Sequence, residues 1–426
     1  MEVETPETIA VLGAGPMGLE AALYGRFLGY SVTIYERGRI AENMLRWGHV
    51  RLFSPFAMNR SPLGIAAIEA QDPLWQPPAD DALLTGRQHV ERYLLPLAKT
   101  DLLARHVRER TVVIAIGREG CLKGDLVGDE DRGERPFRVL TRRLDSSQGR
   151  ETERVDAADF VIDTTGTYGN HNWLGASGMP ALGEIEAAGE IEYGLPDFSG
   201  EARELYAGRH TLLVGSGYSA AANAVALAEL AEESPQTRVT WVTRARPGGE
   251  SLSEPMALIP DDRLVERDQL ARAANRLAAP QAGPIRHVPG TSIVAIQRSD
   301  DAFTIRCAGR HAVPLLVDRI IANVGFRPDN QIYSELQVHE CYASGGPMKL
   351  AAALLEQSSA DCLDQQAAGA AKLVTPEPNF YILGAKSYGR NSTFLMSAGL
   401  EQIREVFSII GEREELDLYS TIVRTK

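Results

Sequence analysis

Cysteine is scarce in this sequence. The 426 residues contain four, Cys121, Cys307, Cys341 and Cys362, and no two stand close enough for a CxxC pair or a metal-ligand set. A redox-active dithiol is therefore not expected. The eight histidines form no HExxH or similar grouping, so no metal site is expected either. Long apolar runs are missing too. Nothing approaches the roughly 20 residues that cross a bilayer, and the acidic start MEVETPETIA has no apolar core of the kind a signal segment carries. Positive charge is in deficit: a net charge of −13 argues against nucleic acid or an anionic membrane as the main partner. The expectation is a cytoplasmic protein whose length implies two or three domains.

What the sequence does have is organised glycine. In TIAVLGAGPMGLEAALYGRFLGYSVTIYE a short apolar strand, Ile9 to Leu12, runs into Gly13, Gly15 and Gly18. Helical periodicity follows from Leu19 to Leu28, and a second strand, Ser31 to Tyr35, closes on Glu36. In a dinucleotide-binding βαβ unit the first glycine permits the turn, the second admits a pyrophosphate to the backbone, and the third lets helix pack on strand. The helix N-terminus offers free N–H groups to the phosphates, and Pro16 and Met17, within the glycine turn, are further candidate cofactor contacts. Glu36 stands about 20 residues on, where a carboxylate accepts hydrogen bonds from ribose hydroxyls.

The next segment, RGRIAENMLRWGHVRLFSPFAMNRSPLG, has no clear period but is rich in Arg and aromatics. A loop of this length inside a compact domain is functional or disordered, and its apolar content predicts an ordered cover over the cofactor. Arg37, Trp47, His49, Arg51, Phe53 and Ser54 are its candidate contacts. Thr85 to Lys99 reads as a capped amphipathic helix ended or kinked by Pro96. Thr111 to Ile116 is a strand, Phe137 to Val155 a hairpin with SSQGRE at its tip, and DFVIDTTG a strand stopped by Thr164, Thr165 and Gly166.

The order then repeats. His210 to Val214 is a strand, GSGYSA (Gly215, Ser216, Gly217, Tyr218, Ser219, Ala220) a second glycine turn, Ala221 to Ala231 a helix and Val239 to Thr243 a strand. A hairpin from Thr291 to Val317 and the strand RIIANVG complete the match. Two copies imply two related cofactor domains. They differ at the end of the second strand: Glu36 in the first, Arg244 and Arg246 in the second. Arg suits a 2′-phosphate where an acid suits free hydroxyls, which predicts NADPH over NADH. Near the C-terminus the strand Phe380 to Leu383 stops at Gly384, and a long amphipathic helix is expected from Thr393, its N-terminus bearing Asn391 and Ser392. This tail returns to the first domain. The expected architecture is α/β with two Rossmann-like domains, each with a β-hairpin or meander crossover: residues 1–196 and 327–426 form one, and residues 197–326 an insertion. Apolar residues in the Ala351 to Leu355 helix serve either a homodimer or the core.

These motifs resemble the flavoproteins with two dinucleotide-binding domains, over nearly the whole chain. GAGPMG with Glu36 is similar to their FAD fingerprint, GSGYSA with Arg244 to their NADPH fingerprint, and VIDTTGTYG to the segment that joins the domains. The resemblance places Gly384 beneath the flavin ribityl chain. Ala385 and Lys386 follow it, where the disulfide-reductase branch often has an acid, and this tilts the likeness toward flavin-containing monooxygenases, N-hydroxylases and Baeyer–Villiger enzymes. Their FxGxxxH signature is replaced here by IEYGLPDFSG, and their glycine-tryptophan segment by LRWGHVRLFSPF. The resemblance implies FAD reduced by NADPH and a C4a-hydroperoxide formed with O2 that oxygenates a small-molecule substrate. Arg51, Ser54 and Asn391 would face the flavin, and Tyr168 and His171 the nicotinamide. Two alternatives are an NADPH dehydrogenase serving a quinone, disulfide or protein acceptor, and a flavin-binding protein without turnover.

Overall fold

A computed structural model describes residues 7–145, 150–244, 254–280, 283–310, 312–356, 361–364 and 369–422. The chain divides into two compact units, Met1–Asn170 with Arg327–Lys426, and His171–Phe326. Seven strands come first: β1 (Thr8–Leu12), β2 (Ser31–Tyr35), β3 (Val107–Arg108), β4 (Thr111–Arg118), β5 (Phe137–Asp145), β6 (Arg150–Ala158) and β7 (Phe160–Asp163). Eight lie in the second unit: β8 (Ile191–Glu192), β9 (His210–Val214), β10 (Arg238–Thr243), β11 (Ile285–Pro289), β12 (Thr291–Ser299), β13 (Ala302–Gly309), β14 (Leu315–Val317) and β15 (Arg319–Ala322). The last, β16 (Phe380–Ile382), returns to the first unit.

The two sheets have one plan. The first orders its strands β16-β7-β1-β2-β3 and the second β8-β15-β9-β10-β11, all parallel. Each has a three-stranded antiparallel meander, β4-β5-β6 between β3 and β7 in the first and β12-β13-β14 between β11 and β15 in the second. Both sheets are α/β layers of the Rossmann type. The second unit begins at His171 rather than at Asp197, because its edge place is taken by β8, which pairs with β15. The equivalent place in the first unit is filled from the C-terminal tail by β16.

Each sheet is covered on both faces, which explains its nearly continuous apolar strands. Along β1, Ile9 and Val11 join the cluster around the helix Pro16–Phe27, whereas Ala10 and Leu12 join the cluster under the meander with Ile116, Phe137 and Val139. Along β9 and β15, Leu213 and Ile321 face the helices Tyr218–Glu233 and Val265–Ala278, and Leu212 and Ile320 face the other meander. The helix Met396–Ile410 packs on Pro16–Phe27 through Phe407, stacked on Tyr24 at 4.9 Å.

Three local expectations change. The Arg- and aromatic-rich segment is not one irregular loop: it holds the short helix Glu42–Arg46, and the helix Pro62–Gln71 follows, capped by Ser61. The Thr85 helix has its capping box with Gln88 but contains a π-turn, Val90–Leu94. Pro96 has no N–H for the Arg92 carbonyl, and the indole N–H of Trp75 donates to that carbonyl instead, at 3.1 Å. The C-terminal helix starts at Met396, not Thr393. The Asn391 carboxamide oxygen accepts from the Thr393 amide at 3.0 Å, a local turn that competes with helix. The SSQG part of the first hairpin tip lies outside the described residues. In the helix Met348–Glu356, Leu350 and Ala351 are core and Leu355 is exposed. Among the described residues no helix is long and apolar enough to cross a membrane.

Two buried carboxyls yield predictions. Glu377 is wholly buried between Arg118 (Nε–Oε1 2.8 Å) and Arg132 (Nη2–Oε2 3.0 Å), and also accepts the Gln337 amide. Glu377→Ala leaves two guanidinium groups buried without their counter-charge and is expected to destabilise the chain by about 3–5 kcal/mol, read as a lower urea midpoint. Glu20, inside the helix Pro16–Phe27, is pushed up from 4.5 to about 7 by burial, against the smaller opposing effect of the Ser61 and Tyr419 hydroxyls. The folded state therefore holds this proton more tightly than the unfolded chain. The contribution to stability is complete below pH 4.5 and is lost as pH rises through about 7. Relative to Glu20→Gln, the native protein is expected to lose about 3 kcal/mol across this interval. Urea unfolding at about pH 5 and about pH 8 checks it.

Candidate functional site

In the first unit the glycine turn sits at the carboxyl end of β1. Gly13 has φ +93°, and a Cβ there would lie 3.1 Å from the Thr164 carbonyl oxygen, so a left-handed turn and a close strand neighbour both require glycine. At Gly18 a Cβ would collide with the Gly13 carbonyl and the Thr164 hydroxyl, so helix and strand touch by backbone. Gly15 differs: its backbone is extended and a Cβ would meet nothing within 4 Å. The helix Pro16–Phe27 begins there with no side-chain cap, leaving an open cradle of main-chain donors.

Glu36 is held at the rim of this cradle. Its Oε2 accepts the Ala14 amide and its Oε1 the Gly38 amide, both at 2.8 Å. Each oxygen retains a lone pair for a further donor, which suits a diol. Pyrophosphate against Gly15 and ribose hydroxyls against Glu36 thus fit the residues present. Met17 lies beneath, against Gly384 and Gly399, so the C-terminal helix and the β16 turn close on the same point. Gly384 donates its amide to Gln402 Oε1 at 2.9 Å, and Gln402 Nε2 donates to Ser387 Oγ at 3.0 Å.

The remaining candidates are dispersed. Arg37 is exposed, its guanidinium against Gly169. Trp47 packs on Gly86, and its indole N–H is buried with no acceptor among the described residues. His49 and Arg51 are exposed, with Arg51 bridged to Thr85 through the backbone. The Ser54 hydroxyl donates to Asn59 Oδ1 at 2.8 Å. Asn391 and Ser392 are exposed in the turn ahead of the helix Met396–Ile410. Gly166 carries φ +69°.

Asp163 and Lys386 belong to no sequence motif that gives them a role. They form a fully buried ion pair at 2.5 Å across the ends of β7 and β16. Lys386 Nζ also donates to Thr165 Oγ1 at 3.1 Å and to the Asp329 carbonyl at 2.7 Å, and the Thr165 hydroxyl donates to Asp163 Oδ1 at 2.7 Å. An acid ending a fully apolar strand was the available signal.

The second unit repeats the cradle. Gly215 has φ +134°, and a Cβ there would collide with the Asn323 carbonyl; Gly217 is extended with its Cβ direction open. The helix Tyr218–Glu233 starts uncapped, with Ser219 partly buried and Ala220 in the core. The Trp241 indole donates to the Gly215 carbonyl at 2.8 Å. Arg244 is exposed beyond β10, and Arg246 lies outside the described residues. Asn223 and Asn323 are joined at 2.7 Å and both donate to the Gly194 carbonyl. His171 stacks on Tyr193. Tyr168, in the first unit, is 48% exposed. None of the four cysteines forms a disulfide, and no His, Cys, Asp and Glu grouping among the described residues is placed to hold a metal.

No family model matches the sequence, and no curated protein does. Solved structures do. A bacillithiol disulfide reductase from Bacillus cereus is 18% identical, with 96% of this chain and 100% of that chain covered and a TM-score of 0.65. The ornithine N-hydroxylase of Kutzneria sp. 744 is 15% identical, with 96% and 100% covered and a TM-score of 0.58. A flavin monooxygenase from Stenotrophomonas maltophilia is 18% identical, with 95% and 99% covered and a TM-score of 0.54. At these identities the likeness is one of fold, two Rossmann-like units.

The two glycine classes predict opposite outcomes. Gly18→Val is expected to cost several kcal/mol, about 3 or more, because backbone cannot retreat from the new side chain. Gly15→Val is expected to change stability by no more than about 0.5 kcal/mol. Urea unfolding of both variants checks the pair.

Proposed function

We propose that this protein is an FAD-dependent oxidoreductase reduced by NADPH, and that it acts as a monooxygenase on a small nucleophilic or carbonyl substrate. The observation that carries the reading is the repetition of one glycine cradle on two sheets of equal order, with a carboxylate at the rim of the first and an arginine at the rim of the second. FAD, when bound, supplies acceptance of a hydride from NADPH and delivery of electrons to O2.

The chain's own residues bind, orient and shield. Backbone at Gly13, Gly15, Pro16, Met17 and Gly18 receives the FAD pyrophosphate, and Glu36 receives ribose hydroxyls. Arg37, Trp47, His49, Thr165, Gly166, Gly384 and Ser392 line the remainder of that cofactor's path. Gly215, Gly217, Tyr218, Ser219 and Ala220 receive NADPH, with Arg244 at its 2′-phosphate. Arg51, Ser54 and Asn391 are assigned to the flavin ring, where their work is to exclude water and hold the substrate. Ser54 would act through Asn59, to which its hydroxyl is bonded. The wide spacing of the cysteines supports oxygenation over an internal dithiol relay. The fold shared with a bacillithiol disulfide reductase supports a second reading, an NADPH dehydrogenase with an external acceptor.

Anaerobic titration with NADPH and then NADH is expected to bleach bound flavin, with NADPH effective at lower concentration. Absence of flavin from the purified protein, or a flavin that neither nucleotide reduces, would sink the reading. Admission of air then separates the branches. A persistent intermediate spectrum is expected for the monooxygenase, and immediate return of the oxidised spectrum for the dehydrogenase. Gly15→Val is expected to fold but to purify without flavin.

A further inference from the structure

The imidazole of His171 lies face to face on the phenol ring of Tyr193, with ring centroids 3.5 Å apart and planes within 15°. The indole of Trp173 meets His171 edge-on at 5.0 Å. Direct face-to-face stacking is the arrangement that ring quadrupoles favour least, so this contact is readily exchanged for another flat ring, above all an electron-poor one.

The two partners are held very differently. Tyr193 is anchored at both ends. Its hydroxyl donates to Glu184 Oε1 at 3.0 Å, and Glu184 is itself buried and fixed by the Leu174 and Ala181 amides, each at 2.8 Å. The next residue, Gly194, has its carbonyl gripped by Asn223 and Asn323. The His171 main chain is bridged to Phe326, but its ring has one polar contact among the described residues, Nδ1 on the adjoining Asn172 carbonyl at 3.0 Å. Tyr193 is a fixed platform, and His171 a cover whose ring a side-chain rotation lifts while its main chain stays bridged to Phe326.

The platform stands at a definite place in the sheet. Open α/β sheets bind dinucleotides across the crevice where the strand order reverses, here between β9 and β15. Arg244, beyond β10, marks the adenosine side. Tyr193 follows β8 on the opposite side of the glycine turn. Close by in sequence to His171, the Asn172 carboxamide donates to the Val324 carbonyl, while its Oδ1 is buried with no donor among the described residues.

We infer that Tyr193 is the stacking platform for the nicotinamide half of NADPH, and that His171 occupies this platform until the dinucleotide displaces it. The inference rests on the reading that this unit binds NADPH. The free Oδ1 of Asn172 is an acceptor of the kind that a primary carboxamide donor on the incoming ring requires.

Calorimetric titration of the full chain with NADPH and with 2′,5′-ADP, which has the adenosine half and no nicotinamide, tests it. Tyr193→Ala is expected to weaken NADPH by about five- to tenfold, the range one aromatic stack commands, and to leave 2′,5′-ADP within about twofold. His171→Ala is expected to bind NADPH about threefold more tightly, since the competing ring is gone. Tyr193→Phe keeps the ring and is expected to stay near wild type. Wild-type NADPH affinity in Tyr193→Ala, parallel losses for both ligands, or a loss in His171→Ala as large as that in Tyr193→Ala would each overturn the inference while NADPH binding itself stands. A native chain that binds neither ligand would remove the NADPH reading and this inference together. Should Tyr193→Ala fail to fold, the sign of the His171→Ala effect decides.

Discussion

Main chain meets main chain at the glycine turn of each unit, and much of the structure is arranged to permit it. Gly13 lies against the Thr164 backbone, and Gly215 against the Asn323 backbone. A side chain at either position would push the turn away from the neighbouring strand end, β7 in the first unit and β15 in the second. The helix that follows would then leave the sheet, and its uncapped N-terminus would no longer stand over the strand ends. Every other feature of the proposed cofactor sites depends on that turn. Glu36 reaches the Ala14 amide only because the turn brings it there, and Met17 meets Gly384 and Gly399 for the same reason.

The units solve a second problem by different chemistry. The strand ends beside these turns, β7 and β16 in the first unit and β15 and β8 in the second, must be braced, since the chain leaves the sheet there with polar groups in an apolar setting. The first unit uses a buried charge pair, Asp163 with Lys386, closed by Thr165 and the Asp329 carbonyl. The second uses neutral carboxamides, Asn223 and Asn323, on the Gly194 carbonyl. Asp163 ends β7 as Ala322 ends β15, so the charge in the first unit is an addition to the common plan. A buried pair of this kind adds little net stability over an apolar pair. It does forbid misplacement, because either partner alone would be a desolvated charge. The flavin domain, as proposed, thereby gains a rigid floor where the nicotinamide domain keeps a platform with a movable cover.

Strands, glycine turns and the twofold plan were legible in the residues because each is a local matter. A glycine forced by φ +93° at Gly13, an apolar run of four and a helical period are all written within a few positions. The meander crossover was legible for the same reason. Less legible were elements whose form depends on distant partners. The π-turn at Val90–Leu94 reflects a carbonyl that Trp75 satisfies, and β8 is a two-residue strand only because β15 lies beside it. The C-terminal helix start was misplaced because an Asn391 turn outcompeted helix by one hydrogen bond.

By itself the sequence determined the two glycine cradles, the acid at one rim and the arginine beyond the other, because turns, helix starts and strand ends obey short spacings. Tertiary structure alone decided which polar side chains are already engaged and which rings meet. It joined Ser54 to Asn59, Thr165 to Asp163 and Lys386, and His171 to Tyr193. Those pairings depend on burial and on the meeting of separate strand ends, and a linear spacing has no term for either.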